Sequence, residues 1–438
     1  MSDKNFIVKK PHKLSINVVT LGCAKNVVDS EKIMGSLPAG KFKIIHNSNE
    51  PTDIVLINTC GFINDAKQES IDTILQFTEA KKNNNFRVYV TGCLAQRYKS
   101  ELLSEIPGID GIFGLHETPE LLEQITKSFS GLTDARILTT PNHYAYLKIS
   151  EGCDRKCSFC AIPFIRGSNV SYPVEKIIDE AEMLADKGVK ELIVIAQDTT
   201  YYGLDLYKKR SLALLLEKLS DIRQFDWIRL HYAFPSGFPE DVLDVMRSRE
   251  NICNYLDIPL QHINDKLLAS MRRSIDKKGT VALLKKIRSQ VPGIALRTAF
   301  IVGYPGETEA QFDELYDFIR EQQFERMGVF TFSKEEGTAA GVLKPQISSK
   351  VKQERYDKLM DLQQQISSSL NQGMIGKTLK VIIDRKEGDF FIARTEFDSP
   401  EIDNEVLIPA SDGKLKIGNF YSVKITGAEV YDLYAQIV

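Results

Sequence analysis

Residues 145–160, "AYLKISEGCDRKCSFC", run from an apolar strand candidate straight into three cysteines, Cys153, Cys157 and Cys160, at C-x3-C-x2-C spacing. Three thiolates are one short of the four that close a structural zinc site, and no nearby His or Cys downstream supplies the fourth. His143 is close in sequence but stands before the strand. Three unrelated buried thiols would sit oddly in a loop this polar. A [4Fe-4S] cubane fits the count, because three thiolates leave its fourth iron open to another ligand. The loop also follows a strand's C-terminal end, where α/β barrels gather their ligands.

That strand begins a repeating pattern. Further strand candidates are "ELIVIAQDT", "WIRLHYAF", "YLDIPLQ", "IALRTAFIVGYP" and "RMGVFTFS", separated by helical stretches such as "PVEKIIDEAEMLADKG" and "TEAQFDELYDFIREQQ". Six βα units in a row predict a partial (β/α) barrel. Upstream, "LSINVVTLG", "DIVLINTC" and "FRVYVTGC" each end in a glycine turn and lead into a helix, which predicts a small parallel α/β sheet. "ETPELLEQITKSF" reads as another helix and "DARILTTPNHY" as a linker. Downstream, "SSKVKQERYDKLMDLQQQISSSLNQ" is a long polar helix. Short alternating strands with glycine turns then predict a small antiparallel β-barrel. The expected organisation is an N-terminal α/β domain over 14–140, a barrel with its linker helix over 141–372, and a β-barrel over 373–438.

Composition sets the class. With 438 residues, two or three domains are expected. An apolar content of 43% with 26% charged residues is ordinary for a soluble globular protein. A net charge of −3 argues against holding polyanions through bulk charge. The opening "MSDKNFIVKKPHKLS" lacks an apolar core and reads as a polar lead-in, not a signal peptide. No apolar run reaches membrane-spanning length. A cytoplasmic protein is expected, and nothing in the sequence points beyond a monomer. Seven scattered cysteines do not form a disulfide framework.

Cys23, Cys60 and Cys93 stand in "TLGCAKN", "INTCGFI" and "VTGCLAQ", each at the end of a predicted parallel strand and each next to a glycine. Singly, each reads equally well as a small residue in a tight turn. Together they favour a second three-thiolate site, because strand ends of a parallel sheet gather at one edge.

C-x3-C-x-aromatic-C, with Phe159 as the aromatic, resembles the radical S-adenosylmethionine (radical SAM) superfamily. There a [4Fe-4S] cluster binds SAM at its open iron and cleaves it to a 5′-deoxyadenosyl radical. With the N-terminal trio and a C-terminal barrel similar to the TRAM module, the whole chain resembles the radical SAM methylthiotransferase family. "LGCAKNVVDSE", "INTCGFI", "EGCDRKCSFCAIPFIRG", "AQDTTYYG", "IPLQH" and "FTFSKEEGT" are similar to its RimO branch, which modifies an aspartate of a small-subunit ribosomal protein (uS-twelve type). The other branch, which modifies a tRNA adenosine, typically has Gln-Met-Asn after the first cysteine. RimO proteins commonly have Pro there; this chain has Ala24, which is expected to loosen the loop. Residues 373–438 carry 8 basic and 11 acidic side chains, which suits a basic protein partner better than RNA.

The resemblance implies two [4Fe-4S] clusters and SAM as cofactors. Cys153, Cys157 and Cys160 would hold the SAM-cleaving cluster, and Cys23, Cys60 and Cys93 an auxiliary cluster carrying the sulfur to be transferred. SAM would act as both methyl donor and radical source, and the two open irons would face a shared cavity. A flavodoxin or ferredoxin would supply electrons. Candidate SAM contacts are Phe159 against the adenine, with Gln197, Asp198 and Arg297 as polar partners; each reads equally as barrel-mouth hydrogen bonding. A cluster protein that only carries electrons is the alternative from another class. "GYPGET" lacks the Lys-Ser/Thr ending of a phosphate loop, and Thr308 reads instead as a helix N-cap. Cys253, placed just before a strand, reads as a buried structural thiol. His46, His116, His231 and His262 show no ligand spacing, though His231 and His262 are candidates for the barrel lining.

Overall fold

The computed structural model describes residues 13–127, 131, 133 and 135–438. The lead-in 1–12, the last two residues of "ETPELLEQITKSF" and residue 134 of the expected linker lie outside the described residues. The chain divides into two compact units, the first ending at Thr139 and the second spanning Thr140–Val438.

In the first unit, β1 (Leu14–Thr20), β2 (Phe42–His46), β3 (Ile54–Thr59), β4 (Arg87–Gly92) and β5 (Gly111–Ile112) form a parallel sheet in the order β2-β1-β3-β4-β5. Alternation along β3 explains the layering. Ile54 and Leu56 pack with α1 (Ala24–Gly35) and α4 (Thr118–Thr126), whereas Val55 and Ile57 pack with α2 (Asn64–Lys81) and α3 (Cys93–Glu105). Strands buried on both faces read as continuous apolar runs, as "DIVLIN" does. The stretch read as a linker folds back onto α1. Buried Arg136 pairs with Glu31, whose Oε1 also accepts the Thr139 N–H at 2.7 Å.

The second unit opens with β6 (Tyr144–Lys148), followed by a two-residue hairpin of β7 (Ser150–Glu151) and β8 (Val170–Ser171) flanking α5 (Ile162–Arg166). β9 (Glu191–Ile195), β10 (Trp227–Leu230), β11 (Ile252–Asp257), β12 (Ala295–Val302) and β13 (Arg326–Thr331) complete an open six-stranded parallel sheet in the order β13-β12-β11-β10-β9-β6. This is the expected partial barrel, with every strand placed in chain order. The connections hold α6 (Val174–Asp186), α7 (Leu212–Ser220), α8 (Asp241–Ser248), α9 (Asp265–Ser270), α10 (Lys277–Gln290) and α11 (Glu309–Gln322). Thr308 caps α11 as expected, in a capping box with Gln311. Cys253 is buried, but it lies inside β11, one residue after the strand begins.

The polar helix α12 (Ser349–Gln372) buries Arg355, Leu359, Leu362 and Ile366, a helical-period stripe facing β13. It leads to β14 (Thr378–Glu387), β15 (Phe390–Thr395), β16 (Val406–Pro409), β17 (Phe420–Ala428) and β18 (Leu433–Ile437), a closed barrel in the order β14-β15-β16-β18-β17. Its core is Val381, Ile383, Ala393, Ile408, Val423 and Ile425. Among the described residues, no helix is long and apolar enough to cross a membrane.

Candidate functional site

The structure gathers the N-terminal trio. Cys23 is the N-cap of α1, Cys60 follows β3, and Cys93 is the first residue of α3. A Cβ at Gly22 (φ +90°) would fall 2.7 Å from Cys60 Cβ, and one at Gly61 would fall 2.7 Å from the Leu94 nitrogen and 2.9 Å from the Cys93 carbonyl carbon. The three turns therefore touch through their glycines, which leaves no room for side chains there.

Polar partners hold this arrangement. Ser70 Oγ accepts from the Cys60 N–H at 3.0 Å and donates to the Cys60 carbonyl at 2.9 Å. Asn26 Nδ2 donates to the Leu21 and Thr59 carbonyls at 2.7 and 3.1 Å, and Asn26 Oδ1 lies 3.7 Å from Cys93 Sγ. Two of the cysteines stand at helix N-termini, where the helix dipole favours thiolate. Ala24 is the first residue of α1, so the departure from Pro falls in a helix start, not a loop. Pro is accommodated at that position, and Ala is the strongest helix former.

The second triplet lies in the connection after β6, as expected. Cys153, Cys157 and Cys160 are half-buried. Cys153 N–H donates to the Gly167 carbonyl at 3.0 Å. The buried Ser158 pins the loop's centre: its N–H donates to the Met271 carbonyl, its carbonyl accepts from the Ala340 N–H, and its Oγ lies 2.8 Å from the Tyr304 hydroxyl. Burial pushes the Cys153 thiol up to about 11 and the Cys160 thiol up to about 12. Thiols this weakly acidic become thiolates at neutral pH only against a cation, and cluster iron supplies one.

Among the described residues, no group of three His, Cys, Asp or Glu side chains is arranged around one metal ion. In a cubane the ligand thiolates each take a different iron, so they stand farther apart than donors around a single ion. None of the seven cysteines is in a disulfide. On donor chemistry, both trios fit three-thiolate clusters.

The remaining expected site residues are placed differently from one another. Phe159 is half-buried against Leu267, Met271, Tyr304 and Phe332. Gln197 is half-buried just past the end of β9. Asp198 is buried and engaged on both oxygens: Oδ1 accepts from the Thr200 N–H and hydroxyl at 2.9 and 2.6 Å, and Oδ2 accepts from Arg155 Nε at 2.7 Å. It therefore steadies the triplet loop through Arg155. Arg297 pairs with Asp257 at 3.1 Å and with Asp403 of the closed barrel at 3.3 Å. His231 is bonded to Ser399, and His262 to Glu307, both buried.

Two arginines were not singled out in the sequence. Arg155, inside the triplet, has its guanidinium carbon 3.9 Å from the Phe234 ring centroid; that of Arg273 is 4.0 Å from the same centroid. Arg273 Nη1 donates to Cys157 Sγ at 3.5 Å. The surplus acid of the closed barrel is also partly internal. Asp384, Asp398 and Asp403 pair with Arg394, Arg326 and Arg297, so the net charge of 373–438 overstates an acidic outer surface.

Residues 15–114 match the uncharacterized protein family UPF0004, residues 147–319 the radical SAM superfamily, and residues 375–438 the TRAM domain. The chain is 54% identical over 428 residues to the ribosomal protein uS12 methylthiotransferase RimO of Phocaeicola vulgatus, covering 97% of this chain and 99% of that protein. It is 55% identical over 430 residues to the RimO of Christiangramia forsetii, covering 98% and 95%. Among solved structures it resembles the radical SAM methyltransferase TsrM from Kitasatospora setae (TM-score 0.56, 14% identity, 86% of this chain and 79% of that one), a likeness of fold alone. The chain belongs to the RimO family of ribosomal protein uS12 methylthiotransferases.

Proposed function

We propose that this protein replaces a C–H bond on the β-carbon of an aspartate in ribosomal protein uS12 by C–SCH3, using SAM and two [4Fe-4S] clusters. Cys153, Cys157 and Cys160 hold the cluster that engages SAM, and Cys23, Cys60 and Cys93 hold the auxiliary one. When bound, these cofactors supply the radical chemistry and the sulfur that a C–H bond with no acidic proton requires.

The chain's own residues bind and orient. Ser158 and the Asp198–Arg155 pair fix the loop carrying the first trio, while Ser70 and Asn26 fix the turns carrying the second. Phe159 and Gln197 remain the candidates for SAM contact. For Arg297, pairing with two carboxylates supports a role in joining sheet to barrel. The substrate is a basic ribosomal protein, the reductant is of the flavodoxin or ferredoxin class, and the enzyme acts as a cytoplasmic monomer without binding nucleic acid directly.

The observation that carries this reading is the meeting of three cysteine turns at one edge of the first sheet, which a single-cluster radical SAM enzyme does not need. Anaerobically reconstituted protein, given uS12, SAM and a low-potential reductant, should add one methylthio group to one aspartate, read by peptide mass spectrometry. Modification of tRNA adenosine instead, with uS12 untouched, would assign the chain to the other branch of the family.

A further inference from the structure

We propose that Arg273 raises the reduction potential of the cluster held by Cys153, Cys157 and Cys160; this rests on the ligand assignment above. Arg273 is 4% exposed, yet its partners are Cys157 Sγ at 3.5 Å, the Pro259 carbonyl at 2.5 Å and the Phe234 ring. Its Nε is buried without a hydrogen-bond partner. Arg155, stacked on the same phenylalanine, has the carboxylate of Asp198 at 2.7 Å. Arg273 has no carboxylate partner among the described residues. A buried guanidinium without a counter-charge is strongly disfavoured. The position is stable once an anion stands beside it, and the anion its geometry selects is the thiolate of Cys157, which would be a cluster ligand.

The consequence is electrostatic. Three thiolates make the oxidised cluster anionic, and taking up one electron from a low-potential donor adds a further negative charge. A fixed cation with an N–H aimed at a ligand sulfur stabilises the reduced form more than the oxidised one. Arg273 acts through Cys157, as a positioning and tuning residue.

The test is an EPR-monitored redox titration of the full-length chain carrying Cys23→Ala, Cys60→Ala and Cys93→Ala, so that one reconstituted cluster titrates. Arg273→Met should shift the midpoint to a more negative value, by about 59 mV for each tenfold loss in the one-electron reduction equilibrium, with a loss of about tenfold expected. Arg273→Gln, which keeps a donor for the Pro259 carbonyl, carries the same prediction if the Met variant does not fold. Arg273→Lys keeps the charge and should fall between. A midpoint unchanged or raised in the neutral variants, with iron content intact, overturns the proposal alone. Loss of the cluster in all three variants also overturns it, because Arg273 would then be needed for assembly. Absence of a cluster in the parent chain overturns the ligand assignment itself.

Discussion

Glu191 of β9 and Arg394 of β15 form a fully buried ion pair, Oε2 to Nη2 at 2.7 Å, joining the open sheet to the closed barrel. Arg229 of β10 holds the other oxygen of Glu191, Nε to Oε1 at 2.8 Å, and reaches on to the Glu396 carbonyl. Burial alone would push the Glu191 carboxyl up; the two guanidiniums outweigh it and hold it below its ordinary value.

Glu191→Gln leaves the buried Arg229 without its carboxylate, while Arg394 keeps only Asp384. The expected cost is about 3–5 kcal/mol, because removing one member of a buried pair strands the other. Trp227, the single tryptophan, stacks edge-on against Phe420 of the closed barrel with ring centroids 4.8 Å apart, so its fluorescence reports this seam. A urea midpoint by tryptophan fluorescence that matches wild type would show that the ion pair does not hold the seam.

Asp384 gives a pH signature. Its carboxyl is pushed up by burial but held below the ordinary range overall by Arg394 and by its hydrogen bond with His143. A depressed carboxyl contributes its stability above the unfolded value of about 3.9 and loses it as pH falls through the folded value. Asp384→Asn should therefore cost about 3 kcal/mol at neutral pH, and the gap to wild type should narrow below about pH 4. A gap constant with pH would mean that the carboxylate charge is not what stabilises.

Gly22→Ala tests the contact between the first two cysteine turns. The added methyl would meet Cys60 at 2.7 Å from a backbone with φ +90°, so the turn must move. The variant should lose the N-terminal cluster, about half its iron, while keeping SAM cleavage in the presence of dithionite. Full iron content in folded Gly22→Ala would show that the contact does not position Cys60.

Legibility in the sequence followed the range of the interaction. Strands of the six-stranded sheet carry short apolar runs separated by helical-period stretches, so local pattern located all six. β2 (Phe42–His46) escaped notice because it is an edge strand, mostly half-exposed, with Lys43 and His46 breaking the run. The N-terminal trio was legible because each cysteine is paired with the glycine that lets the turns touch. Arg273 was not, because it meets Cys157 across 116 residues of sequence. For the same reason, the pairing of Arg297 with Asp403, 106 residues on, could not be read from the strand that carries it. Net charge could not show where the acids of the closed barrel lie, and Asp384, Asp398 and Asp403 pair with arginines inside the second unit.

The most direct test is iron and sulfide analysis after anaerobic reconstitution, comparing wild type with the Cys23→Ala, Cys60→Ala, Cys93→Ala variant. Two three-thiolate clusters predict about eight irons falling to about four, with SAM cleavage retained in the variant and methylthio transfer lost. About four irons in both proteins would contradict the account, leaving the N-terminal trio structural and the enzyme with one cluster.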